Sequence, residues 1–582
     1  MKRTTGIRRL LVMLGFPLIL VVQGGCALQP ASSNRSLEVP EKRVLASDPA
    51  ELWPQEVLGG KALYDILLAE IAGKRGYIGV SSRHYIAAAL ASQDPRLSAR
   101  AMRITLYARE YAAALKVAKH WIALQPDNPE LRRSLVYLSM RTGQGDEALE
   151  HLVYLLKTAE NRDEVYQGLQ DILSDSDPLL VMELMAGLLE LFPQDASAHL
   201  MYARVSLQSE LYVLAQEHAQ QAMMLRPQWE DAIVLSIQAQ IGAGKKSQAL
   251  EELMLALKRL PDSLVLHRFY GQLLMLDKQL QAASEQFLWV LSRQPEDADS
   301  LTALGLFALE DKRMEVATGY FARMMALKNS ARFNAYYYMG LVAQKSGQGT
   351  QAEQWLEKVT QGKFRVEAII QRAALLQQRG ALTEARNLLR GMGKEQPQAI
   401  RRLLIVESGL LMRAARYEDA IDVFSQGLGR WQNDLTLLYG RAEAAMQAGQ
   451  VKRAEEDLKA FLELRPEDGS ALNTLGYLLL EKTDRYQEAF IYIERALALM
   501  PDNQAVIDSM GWAYYRLGNY QQALEYLQQA YAITAEAEIA AHLGEILWML
   551  ERQQEAEQIW RDSLQQFPDD PYLQEVMQRF LP

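Results

Sequence analysis

One cysteine in 582 residues excludes an intramolecular disulfide and a thiolate zinc site, and the seven histidines are scattered from His84 to His542. Neither metal chemistry nor a cofactor is expected on these grounds. Positive charge is also in short supply. Lys and Arg number 62 against 72 Asp and Glu, a formal net charge of −10, which makes the body a poor electrostatic match for nucleic acid or anionic lipid. Catalytic signatures are missing as well: no H-E-x-x-H, G-x-S-x-G or calcium-loop pattern occurs. The stretch from Gly242 to Ser247 is glycine- and lysine-rich like a phosphate loop, but position 239 is Ala where that loop needs glycine, and no strand precedes it. It reads as a turn between helices. What the sequence does have is 49% hydrophobic and 23% charged residues, the composition of a folded protein.

Residues 1–25 open with Lys2, Arg3, Arg8 and Arg9 and continue as an apolar run, 10–22, interrupted by Gly15 and Pro17. That run is shorter than the roughly 20 residues a membrane-spanning helix needs, and a basic start before it predicts a secretory signal that is removed. The run closes with Val22-Gln23-Gly24-Gly25-Cys26, which resembles the lipobox cut by the lipoprotein signal peptidase. Gln23 stands where that motif usually has Leu, while Gly24 and Gly25 meet its small-residue requirement. The resemblance implies that Cys26 becomes the lipidated first residue, and Ala27, in place of the Asp of inner-membrane retention, implies the periplasmic face of an outer membrane. Loss of four basic and no acidic residues leaves a net charge of −14. Residues 26–60 then read as the lipidated cysteine and a flexible tether, with Pro30, Pro40, Pro49 and Pro54 and no helical period. A flexible chain of that length spans roughly 30 to 35 Å.

Beyond the tether the sequence repeats itself. Alanines that precede an i, i+4, i+7 apolar stripe fall at positions 114, 148, 215, 249, 283, 317, 352, 385, 420, 454, 489, 523 and 556, and each gap from Ala215 onward is 33, 34 or 35 residues. Val181 fills the register between Ala148 and Ala215, and Ser81 precedes Ala114. Proline follows many of these anchors at twelve residues, as at Pro126, Pro227, Pro295, Pro466 and Pro568. In one unit, Ile507, Met510, Gly511 and Tyr514 share a helical face, Gly518 and Asn519 break the helix, and Tyr520, Ala523, Leu527 and Ala530 make a second apolar face. Two antiparallel helices follow, close together because Gly511 and Ala523 are small, and stacked on neighbours because neither pair can bury its apolar face alone.

This 34-residue pattern resembles the tetratricopeptide repeat, whose small eighth and twentieth positions match Gly271, Gly305, Gly340, Gly476, Gly511 and Gly544 and the alanine series. The resemblance implies an all-α tetratricopeptide-repeat solenoid, a right-handed superhelix of about fifteen helix pairs. Its divisions are atypical N-terminal pairs at 61–125, the repeat superhelix at 126–570 and a C-terminal cap at 571–582. Around 162–193, Leu169 and Val181 replace small residues, so irregular packing is expected there.

The inner wall of such an array is built by first helices, and its side chains lie one, four and five positions after the small eighth residue. In the last units these are Tyr477, Trp512, Tyr515, Arg516 and Trp548, with Asn473 and Tyr439 one turn earlier. Trp, Tyr and Arg are frequent binding hot spots, so this stripe is the candidate partner-binding surface. A co-chaperone groove would place Asn directly after the small residue; Tyr477, Trp512, Glu545 and Glu443 stand there instead.

The first helix pairs hold a second pattern. The run Leu67-Leu68-Ala69-Glu70-Ile71-Ala72-Gly73-x-Arg75, followed by Asp94-Pro95-x4-Arg100-Ala101-x2-Ile104, resembles the start of large proteobacterial outer-membrane tetratricopeptide lipoproteins. That resemblance implies a non-enzymatic adaptor. Its partners would be a periplasmic carboxyl-terminal processing protease and protein substrates such as peptidoglycan hydrolases. A structural scaffold or activator in envelope assembly, serving a peptidoglycan synthase or the outer-membrane insertion machinery, is the alternative.

Overall fold

The computed structural model describes residues 59–174 and 176–581. The signal segment, Cys26 and nearly all of the tether lie outside the described residues. Among these there are 31 α-helices and no strand, which makes fifteen pairs and one closing helix, as the repeat count requires. The chain divides into two compact units, the first ending at Ala335 and the second running from Tyr336 to the C-terminus.

The register of the sequence is the register of the structure. Ala114 is the fourth residue of helix Tyr111–Leu124, Ala317 the fourth of Met314–Met325, Ala556 the fourth of Gln553–Gln566, and the other anchors fall likewise. None of the thirteen alanines is more than 1% exposed, so each marks where a second helix touches its partner. A larger side chain there would force the pair apart.

Proline performs two jobs at the end of a pair. Second helices such as Tyr212–Leu225 and Val451–Leu464 stop two residues short of Pro227 and Pro466, because a proline inside the helix would remove a hydrogen bond and clash with the preceding turn. Two residues beyond the proline a short polar side chain then caps the next helix. Asn128, Asp195, Ser263, Asp297, Asp468, Asn503 and Asp570 all accept hydrogen bonds from backbone N–H groups of the turn that follows, worth about 1 kcal/mol each. The prolyl carbonyls are used as well: Arg132 donates to Pro126 at 2.9 Å, His199 to Pro193 at 3.1 Å, His267 to Pro261 at 3.0 Å and Gln574 to Pro568 at 2.7 Å.

In the first unit the alternation breaks where Leu169 and Val181, both fully buried, occupy positions that are small elsewhere. Helix Pro178–Leu191 packs mainly on Gly145–Thr158 and Ala196–Gln208, and the intervening helix Arg162–Ser174 leans on Ala196–Gln208 instead. Branched side chains hold these two helices apart. Asp163, at the start of the displaced helix, is tied to Arg226 by two hydrogen bonds of 2.8 and 3.0 Å.

Candidate partner-binding surface

Small residues decide how near the helices of the second unit come. A Cβ added to Gly544 would lie 2.0 Å from Trp560 Nε1, and one on Gly511 would lie 2.6 Å from Leu527. With the apolar sides of helices Gly469–Lys482, Gln504–Arg516 and Ala537–Met549 committed to this packing, a second stripe is left for polar and aromatic groups. Residues spaced three or four apart share that stripe: Asn473, Tyr477 and Glu481; Asp508, Trp512 and Tyr515; Glu538, His542 and Glu545.

Apart from Asn473, these groups are engaged in contacts between repeats. Trp512 donates from Nε1 to Glu481 Oε1 at 2.6 Å, and its ring stacks on His542 with centroids 4.0 Å apart and planes 18° from parallel. His542 Nδ1 lies 3.1 and 3.2 Å from the two carboxylate oxygens of Asp508, and Tyr572 meets the imidazole edge-on at 5.8 Å. Arg516 donates to the Tyr486 hydroxyl at 2.6 Å and approaches Glu481 at 3.9 Å. Tyr515 packs on Trp512 at 4.7 Å. The Tyr477 hydroxyl donates to Glu538, 61 residues on, at 2.6 Å, and Arg579 of the last helix, Pro571–Phe580, donates to Glu545.

Burial and charge set the titration of these groups. Burial pushes the His542 pKa down, but Asp508, with Glu538 and Glu545 behind it, outweighs this and leaves it above the ordinary histidine value. For Glu545, burial raises the carboxyl and Arg579 only partly offsets it. Burial and Glu538 push the Tyr477 hydroxyl well up, so it is a hydrogen-bond donor at any physiological pH. An Asp–His pair supplies two of the three members of a nucleophilic triad, but His542 has no exposed surface and cannot meet a substrate. It is a structural pair joining two repeats.

The sequence-predicted residues divide. Tyr477, Trp512, Tyr515 and Arg516 are brought together around Glu481. Trp512 is 4% exposed, so the partly buried rings of Tyr477, Tyr515 and Tyr572 form the outer wall. Tyr439 stands apart, hydrogen-bonded to Thr474 at 3.0 Å and edge-on to Phe461. Asn473 is half-buried, and its side-chain oxygen, which is fully buried, has no hydrogen-bond partner. Trp548 is placed elsewhere, stacked on Trp560 at 5.9 Å and against Phe580 at 5.7 Å beneath the last helix. Glu481, Asp508, Glu538 and His542 were not singled out in the sequence, although each lies four residues from one that was, or from another of these four.

The first unit carries an exposed surface of a different kind. On helix Gly60–Lys74, Leu63, Leu67 and Ile71 are each about half exposed, with Tyr64 beside them at 62%. Spaced four apart, Leu63, Leu67 and Ile71 make one apolar face left exposed among the described residues.

Comparison with known proteins accounts for this architecture. Tetratricopeptide-repeat models match residues 467–536, and again 271–332, 409–457 and 509–571. These are tetratricopeptide repeats. The all-α tetratricopeptide-repeat solenoid read from the sequence is therefore the fold, and such repeats are protein-interaction scaffolds. The chain is similar to a TPR repeat-containing protein of Pseudomonas aeruginosa, 29% identical over 494 residues that cover 83% of this chain and 82% of that one. A shorter similarity, 26% over 160 residues, covers 28% of this chain and 30% of the BBSome complex member BBS4 of Bos taurus. Among solved structures, the Cut9–Hcn1 complex aligns over 92% of this chain and 99% of its own with a TM-score of 0.34 and 14% identity. A Parabacteroides merdae tetratricopeptide repeat protein aligns over 37% of this chain and 86% of its own with a TM-score of 0.33 and 16% identity.

Proposed function

We propose that this chain is a non-enzymatic adaptor resembling the lipoprotein LbcA. It is held on the periplasmic face of the outer membrane by lipid on Cys26, binds a carboxyl-terminal processing protease, and presents protein substrates such as peptidoglycan hydrolases. The observation that carries the reading is the presence of two chemically unlike surfaces on a repeat scaffold. The apolar face of Leu63, Leu67 and Ile71 belongs to the pairs at 61–125 and docks the protease; the aromatic and acidic wall around Tyr477 and Glu481 holds the substrate. An adaptor of this kind needs no chemistry of its own, because holding both partners raises the effective concentration of one near the other.

The test is a reconstituted digestion of a peptidoglycan hydrolase by the protease, with and without this chain. Stimulation by the wild-type chain, lost on Leu63→Asp with Leu67→Asp, is the expected result. Cleavage by this chain with no protease present, or capture from the periplasm of a peptidoglycan synthase or insertion component in place of a protease, would overturn it. Fatty-acid labelling tests the anchor: Cys26→Ser should carry none.

A further inference from the structure

The two motif-like stretches near the start of the folded body meet in space. Glu70 accepts hydrogen bonds from the Tyr85 hydroxyl and from Arg100 Nη2, the latter at 2.9 Å, and Arg100 Nε donates to the Tyr85 oxygen at 3.3 Å. Burial pushes the Glu70 carboxyl up, but the Tyr85 hydroxyl and Arg100 outweigh it and hold it below its ordinary value. Burial and the bond to Glu70 push the Tyr85 hydroxyl up to about 12. At neutral pH, then, Glu70 is an ionised acceptor shared between two donors.

Arg103 lies one turn beyond Arg100 on helix Pro95–Tyr107 and has no share in this carboxylate. Its Nε and Nη2 are both buried, and neither has a hydrogen-bond acceptor. Those two nitrogens form the guanidinium edge whose N–H bonds run parallel, the edge that grips both oxygens of a carboxylate at once. Burial and repulsion from Arg100 lower the Arg103 pKa, outweighing an opposing contribution from Tyr85, and among the described residues no Asp or Glu enters the balance. A buried charged donor without an acceptor costs the free chain more than an ordinary hydrogen bond returns. Among the described residues no Asp or Glu carboxylate reaches this edge.

We infer that Arg103 is the anchor for a carboxylate of an acidic partner protein, either an Asp or Glu side chain or a chain terminus, docking on the first helix pairs. The residue as a whole is half-buried, and rotation about its flexible stem turns the paired donors outward to meet that group. Arg100, held by Glu70 and Tyr85, adds positive potential beside it. The inference rests on the reading that these pairs dock a partner, and it names the chemistry that partner must present.

The experiment compares the full chain with Arg103→Met and Arg103→Lys. In thermal unfolding, Arg103→Met should raise the midpoint of the first unit by about 2 to 4 °C, because it removes a buried charge that nothing compensates. A fall would show that the guanidinium is already satisfied within the chain, and would overturn the proposal. In binding at fixed ionic strength, a hexaglutamate peptide should bind the wild type and bind both variants several-fold more weakly, while hexaglutamine binds none of them. Loss in Arg103→Lys, which keeps the charge, identifies the two-pronged edge; undiminished binding by that variant overturns it. Inorganic phosphate that binds as well as hexaglutamate, or Arg103-dependent binding to phosphatidylglycerol vesicles, would assign the site to phosphate or to lipid and overturn the protein-carboxylate reading. No protease enters these measurements, so failure of the adaptor function and failure of this site are separately visible.

Discussion

Tyr477 reaches past an entire repeat to donate its hydroxyl hydrogen to Glu538 at 2.6 Å. Residues 61 positions apart touch here because the first helices of alternate repeats come close enough for their side chains to meet. Tyr477→Phe keeps the ring and removes this link. The expected loss of stability is about 0.5 to 1.5 kcal/mol, with faster amide exchange in helix Ala537–Met549 as the local readout.

The Asp508–His542 pair gives the last repeats a pH dependence whose sign is fixed. The folded-state pKa of His542 is raised, so its contribution is fully present below the unfolded value of about 6.5 and is lost as pH rises through the folded value. Glu545, also raised, adds a slope of the same sign beginning at lower pH. Unfolding midpoints measured from pH 6 to 9 should therefore fall for the C-terminal pairs, and His542→Gln should flatten that decline.

Trp512 and Trp548 should separate cleanly on mutation. Trp548→Ala removes packing from Trp560 and Phe580 and should cost about 2 to 4 kcal/mol, seen as loss of protection in helix Pro571–Phe580. Trp512→Ala removes a side chain only 4% exposed from between Glu481 and His542 and should cost about 3 to 5 kcal/mol, seen as loss of protection in helices Gln504–Arg516 and Ala537–Met549.

Gly544→Ala tests the close approach directly. Its Cβ would collide with the fully buried indole of Trp560, and the displacement should cost about 1 to 3 kcal/mol. Differential exchange should confine the damage to the last two pairs, since each repeat rests mainly on its neighbours.

At the turns inside several pairs the chain passes through the left-handed region, by glycine at Gly518 (φ 81°) and by a side-chain-bearing residue at Lys312 (φ 60°). Lys312→Gly should raise stability by up to about 1 kcal/mol in denaturant unfolding, and Gly518→Ala should lower it by a similar amount.

Most of the fold was legible in the sequence because it is written in one recurring contact: an alanine that must be small appears in thirteen of the fifteen pairs, with Ser81 and Val181 in its place in the other two. The caps were equally present, as Pro-x-Asp or Pro-x-Asn, but proline alone was read there, as a stop rather than as a stop followed by a start. The wall was legible only in part. Whether a Trp on a first helix faces outward depends on residues 12 to 32 positions away, His542 for Trp512 and Trp560 and Phe580 for Trp548, and periodicity does not carry that information. The carboxylates of the wall escaped notice because an isolated Glu on a helix looks like solvated surface until its partner repeat is folded against it. On the first helix, the spacing of Leu63, Leu67 and Ile71 was visible but was absorbed into a family signature.

The fourth-position alanine also governs how the chain tolerates changes in length. Spacing between anchors wanders between 33 and 35 residues, yet the anchor never moves within its own helix, so each pair resets the reading frame and errors do not accumulate along the array. A residue inserted in the loop before Tyr520 would be absorbed before the next contact is made. The same residue inserted between Tyr520 and Ala523 would turn the contact face by about 100° and carry Ala523 out of its seat.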